Sequence, residues 1–286
     1  MTTSNNTNTL SGASAWLSVL AAMMKKEFTI MLRYPVELVA SFGQVFVIVS
    51  VLTLAGLMFS PTGLQRSDQT SATAGLVAYG FILFMYLSDT LWNIGYNIRR
   101  EQKQGTLEQL YLSPASKFAS LLSRVAVTLL WTGTLSVGSA LAISSMIGRL
   151  PFNNLPLAGL ILVLSLCGTF GTGFAFAALT LRVREAGQTL ANLFQFVFMV
   201  LCAPFFPFAA LPAWLRAVSR LVPLSYSVDA FRSTLMGYPA GFPELAPLSV
   251  ELVIIAAFGL LMPALGYGLY RREENRARRN GSLSEY

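Results

Sequence analysis

Asp89, Asn93 and Asn97 recur every four residues toward the end of a long apolar stretch, so a helix there would carry them on one face. That polar stripe has two readings: a wet translocation surface facing a central cavity, or hydrogen bonding between helices inside a bundle. Asp89 also admits a third role, as a carboxylate that takes up and releases a coupling proton. Intrinsic catalysis fits poorly. The chain has no histidine, the usual general base and metal ligand near neutral pH. It also has no G-x-x-x-x-G-K-[ST] loop with which to cradle ATP phosphates. No Ser/His/Asp set can form, and no acidic pair stands at useful spacing in a hydrophilic stretch. Cys167 and Cys202 lie inside apolar runs and read as packing residues, not as a disulfide or zinc pair. Work must therefore come from a partner or from an ion gradient.

A second polar feature interrupts the apolar runs at residues 101–114. Thr106 followed by Gln109 has capping-box form and starts a short helix at Leu107. Pro114 excludes the helical conformation at Ser113 and ends that helix after about two turns. Leu107, Leu110 and Tyr111 share one face, with Glu108 beside them, and Gly105 precedes the turn. A short surface helix with an apolar stripe and charged flanks suits docking into a groove on another protein.

The elements that position these residues are set by an apolar composition. Hydrophobic residues make up 54% and charged residues 12%, which excludes an ordinary soluble domain. Six stretches are long enough to span a bilayer: Val36–Phe59, Ala74–Ile98, Phe118–Ile147, Leu155–Leu181, Leu190–Phe208 and Leu248–Tyr270. The net charge of +7 does not point to nucleic acid, because the basic residues cluster at the ends of apolar runs. Of the 20 Lys and Arg, only Arg66, Arg149, Arg216, Arg220 and Arg232 fall outside when both termini are cytoplasmic, and this asymmetry decides the orientation. Residues 1–14 read as a disordered cytoplasmic leader without the basic region of a secretory signal. Residues 15–34 read as an interfacial helix, with Lys25, Lys26 and Arg33 opposite Trp16, Leu20, Met24 and Phe28. Glu27 points from its apolar face, either snorkelling or protonated, or paired with a bundle residue such as Arg124 or Arg182. Residues 35–270 form the membrane domain, with a cytoplasmic loop at 99–117, and residues 271–286 form a basic cytoplasmic tail.

The region 209–247 is expected to be an external re-entrant hairpin. Trp214, Leu215, Val218, Leu221 and Val222 form an amphipathic turn sequence between Pro212 and Pro223, and a second helical stretch runs from about Ser225 to Met236. Each is too short to cross, and a crossing would move the basic C-terminus outside. Gly168, Gly171 and Gly173, with Gly159 earlier, let the fourth span approach a neighbour closely. Phe194 and Phe198, in a fifth span crowded with phenylalanine, either line a cavity for an apolar solute or serve packing and lipid contact. Pro204 and Pro207 mark where that span bends into the hairpin.

The segment Glu101–Pro114 resembles the first cytoplasmic loop of ABC-2-type transport permeases, with a pattern near E-x-G-T-L-E-x-L-x-x-S-P and one extra residue, Gln104, before Gly105. Leu211-Pro212-Ala213-Trp214-Leu215-Arg216 and Leu221 to Arg232 resemble a stretch that follows the family's fifth span. The resemblance implies an all-α polytopic membrane protein: six transmembrane helices, an N-terminal amphipathic helix, a cytoplasmic coupling helix and an external re-entrant hairpin carrying Trp214, Arg216, Tyr226, Asp229 and Arg232. It implies the non-catalytic membrane subunit of a bacterial ABC exporter, multi-pass in the cytoplasmic (inner) membrane, moving a drug-like compound or lipid outward. Two copies of a separate ABC ATP-binding subunit would hold ATP and Mg, no cofactor would bind this chain, and Gly105, Thr106, Leu107, Glu108, Gln109, Leu110 and Tyr111 would couple to that partner. The permease would pair as a homodimer or with a paralogue, surrounded by membrane lipid. An ion-coupled secondary transporter using Asp89 is the alternative from another class. Glycan or teichoic-acid export is the alternative within the family.

Overall fold

A computed structural model describes residues 35–58, 75–91, 150–182 and 187–279 throughout, with single positions and short runs between 18 and 33 and between 126 and 144. Every regular element among the described residues is helical. We number them α1 (Pro35–Met58), α2 (Gly75–Leu91), α3 (130–138), α4 (Leu155–Arg182), α5 (Gly187–Leu201), α6 (Ala213–Ser219), α7 (Pro223–Met236) and α8 (Leu248–Arg279). In the entry segment, Ser18, Ala21, Ala22, Met24, Lys25, Thr29 and Arg33 are helical, while Glu27 and its suggested partner Arg124 lie outside the described residues.

Two of the described helices, Leu155–Leu179 and Leu248–Glu273, are long and apolar enough to cross a membrane. They run against each other along most of their length, and α7 packs against both. Small residues explain the closeness. A Cβ on Gly171 would overlap the backbone of Met262 and Pro263, and one on Gly266 would overlap the Gly171 carbonyl. Pro263 sits inside α8 and removes one backbone donor at the level where α4 comes nearest. Thr169 satisfies its own hydroxyl by donating to the Ser165 carbonyl at 2.9 Å, as an apolar surrounding requires. The expected seam is therefore present at Gly168 and Gly171, but Gly159 faces open space and takes no part. Cys167 also departs from the packing role expected of it and lies on the exposed face of α4.

The fifth helix is shorter than its apolar run. It ends at Leu201 after 15 residues and does not reach Phe208. Pro204 excludes the helical conformation at the residue before it, and Ala203 turns instead into the left-handed region at φ 44°. The chain then makes a short turn at Phe208–Ala210 before α6. Pro223 starts α7 at its first position, two residues earlier than expected, and Gly237 ends it in the left-handed conformation at φ 78°. At the other end of the domain α8 continues without a break through the basic segment to Arg279.

Leu83 and Leu87 of α2, Ile161 of α4, Phe208, Val228 of α7 and Ile255 of α8 form the buried centre. A face of apolar side chains stays exposed elsewhere, with Leu193, Phe196 and Val200 on α5 and Val253, Leu260 and Leu265 on α8. In a helical chain of this composition such a face suits lipid or another membrane helix.

Candidate functional site

The residues from Leu224 to Leu235 are all buried, a run that includes Asp229, Arg232 and four hydroxyl side chains. A helix that is buried all round and yet polar must find its partners inside the protein. Ser225 donates to the Leu201 carbonyl at 3.0 Å, which ties α7 to the end of α5. The Tyr226 hydroxyl donates to the Arg220 carbonyl at 2.9 Å and closes the turn between α6 and α7.

Arg232 is the centre of this arrangement. Its side chain is fully buried, whereas the sequence reading placed it among the basic residues of the outer surface. One guanidinium nitrogen donates to the carbonyls of Ala203 at 3.3 Å and Phe206 at 3.1 Å. The other donates to Asp229 Oδ1 at 3.4 Å and Glu244 Oε1 at 3.1 Å. The rings of Phe208 and Phe242 flank it at 4.8 and 5.5 Å from their centroids, a cation–π setting in a site without water contact. The planar fork lets one side chain hold the chain after α5, helix α7 and the loop before α8.

The carboxylates complete the stitch. Asp229 Oδ2 accepts the backbone N–H of Glu244 at 2.7 Å and of Leu245 at 2.8 Å. Glu244 accepts the Ala209 N–H on its second oxygen, so it bridges the two loops of the hairpin. Burial pushes the Glu244 carboxyl above the usual range, and Arg232 with the Ala209 N–H pulls it back. Glu251, in the first turn of α8, is also fully buried and faces this group. Asp229, Glu244 and Glu251 thus meet despite their separation in the chain, which corrects the expectation that no acidic grouping forms. The missed signal was local: between Gly237 and Leu252 the only charged residues are Glu244 and Glu251, both beside prolines or apolar residues.

The remaining expected hairpin residues sit at its rim. Arg216 donates to the carbonyls of Phe208 at 3.1 Å, Ala209 at 2.7 Å and Leu211 at 3.2 Å, so it fastens α6 to the turn before it. Trp214 is 68% exposed and makes no part of the core. Leu221 and Val218 are exposed with it.

Asp89 is half-buried and accepts a hydrogen bond from the Thr132 hydroxyl, which joins α2 to α3. This gives the carboxylate the interhelical role that was one of its readings. Asn93 and Asn97 lie outside the described residues, as do Gly105, Thr106, Leu107, Glu108, Gln109, Leu110 and Tyr111. Phe194 stands edge-on to Phe176 of α4 at 5.2 Å and beside Phe198 at 6.5 Å. Phe194 remains 36% exposed, so α5 offers an aromatic face to whatever lies alongside it. Among the described residues no His, Cys, Asp or Glu set is grouped to hold a metal ion.

The model of a family described as ABC-2 family transporter protein matches residues 1–267 of the chain. No curated protein matches it.

Proposed function

We propose, because the chain belongs to the ABC-2 family of transporter proteins, that it is the membrane permease of an ATP-driven exporter. The observation that carries this reading is the extent of the family match, residues 1–267, which takes in the loop helix, the α4–α8 pair and the hairpin together. The absence of a Walker loop from the sequence means that ATP must be hydrolysed by a separate ABC ATP-binding subunit. Two such subunits would dock on the helix at Thr106–Leu112, one on each of two paired permeases. Their closure on ATP would move that helix, and a bundle held as firmly as α4 against α8 would follow as a unit, alternating access from one side to the other. The substrate class we favour is an amphipathic or apolar compound, drug-like or lipid, because the exposed face of α5 is aromatic and apolar. Both termini would lie in the cytoplasm and the hairpin outside. The Asp89–Thr132 bond supports a packing role for that acid and weighs against an ion-coupled mechanism through it.

The test is reconstitution. In nanodiscs the isolated chain hydrolyses no ATP, and the complex with the ATP-binding subunit encoded beside it does. ATP turnover by the chain alone, or no complex with that subunit, contradicts the proposal.

A further inference from the structure

Three buried carboxyl groups share one buried cation around Arg232. Two of the three are provided for as anions. Asp229 takes two backbone N–H groups and the guanidinium, and Glu244 takes the guanidinium and the Ala209 N–H. Glu251 has nothing comparable. Both of its oxygens are buried without a hydrogen-bond partner, and among the charges around it Asp229 acts on it more strongly than Arg232 does. An unpaired buried carboxylate facing another carboxylate is among the most costly arrangements an interior can hold.

The other ionisable groups packed around the site do not change this balance. From α7 the Tyr226 side chain lies within reach of the Glu251 charge, and Arg220, at the end of α6, acts on that tyrosine. From the end of α5 comes buried Cys202, which lies 3.9 Å from the Ser225 hydroxyl. From α4 the only ionisable side chain between Leu155 and Leu179 is Cys167, which is exposed. No second cation reaches the group among the described residues.

We propose that Glu251 and Asp229 form a proton-binding site, and that the proton held there fastens the hairpin helix α7 to the start of α8. With the proton in place the Glu251 hydroxyl donates to the Asp229 carboxylate, and repulsion becomes a hydrogen bond. The donor is water on the side of the membrane that the hairpin faces, and the proton returns there when it leaves. The hairpin is therefore clamped at acidic pH and loosens as the pH rises. The sign follows from linkage. The folded protein holds a proton that the unfolded chain releases near the ordinary glutamate range, so stability falls with rising pH above that range. One proton makes the fall tenfold in the folding equilibrium per pH unit while the folded form keeps it.

The experiment is thermal unfolding of the full-length chain in detergent between about pH 5 and about pH 8, a window that begins just above the ordinary glutamate range. It needs no transport substrate and no ATPase, so its outcome is separate from that of the proposed function. The wild-type midpoint is expected to fall by on the order of 3 °C per pH unit. Glu251→Gln, a neutral isostere that can still donate to Asp229, is expected to hold the acidic midpoint across the range. Glu273→Gln, which alters an exposed ion pair with Arg276, should leave the wild-type slope intact. A flat wild-type profile overturns the proposal, and so does an unchanged slope in Glu251→Gln or a lost slope in Glu273→Gln. Failure of Glu251→Gln to fold overturns it too, since a neutral group is what the site is proposed to hold. Hydrogen exchange of the α7 amides in the wild-type chain provides a second reading. Exchange should quicken as the pH rises by more than the intrinsic chemical rate, and protection that stays constant contradicts the clamp.

Discussion

Along the α4–α8 seam, contact is made by taking atoms away: Gly171 and Gly266 have no side chain, so two backbones meet directly. Around Arg232 the opposite solution operates, with a long cation filling the space between three chain segments and drawing their carbonyls and carboxylates onto itself. The seam depends on shape and on dispersion between close surfaces, and tolerates no added volume. The hairpin depends on a balanced count of donors and acceptors, and tolerates no missing partner. One region resists being pulled apart along its whole length. The other can be undone by altering a single charge.

That difference sets the order of expected effects. Arg232→Ala should be the most damaging single change, because it leaves Asp229 and Glu244 buried without their cation. Loss of one partner from a buried ion pair costs about 3–5 kcal/mol, enough to lose most of the folded protein. Fluorescence-detected size exclusion of the variant would show it, and a monodisperse peak with wild-type thermal stability would break the contrast. Gly171→Leu should come next, since overpacking a close contact costs about 1–3 kcal/mol. Its sharpest control is Gly159→Ala, on the same helix but facing open space. That change should raise the melting midpoint slightly, by the roughly 0.5–1 kcal/mol that alanine gains over glycine inside a helix. Equal losses at positions 159 and 171 would mean that helix propensity and not close approach governs α4.

The two regions also differed in how far they could be read from the residues alone. Glycines at Gly168 and Gly171 in an apolar run announce close approach, because few other reasons put them there. Which glycine has a neighbour is tertiary information, and Gly159 shows it. The ends of α7 were legible through Pro223 and Gly237, whose backbone limits act locally. The end of α5 was not: the apolar run continues to Phe208, and only the effect of Pro204 on Ala203 stops the helix at Leu201. The charge cluster was hidden most completely. Arg232 has the position of a surface cation by sidedness, and its burial depends on Glu244 and Glu251 arriving from a loop and a helix that follow it. Pairing at that range leaves no periodic trace in sequence.

The loop helix at Thr106–Leu112 is where the proposed function meets its partner, and one binding measurement tests it most directly. The chain and its Glu108→Arg variant, each in nanodiscs, are titrated with the ABC ATP-binding subunit encoded beside it. Reversing a charge at a docking groove should weaken binding at least about tenfold, roughly 1.4 kcal/mol, while the thermal stability of the permease itself stays unchanged. Equal affinity for the wild-type and Glu108→Arg chains would contradict the account and leave that helix a solvated loop.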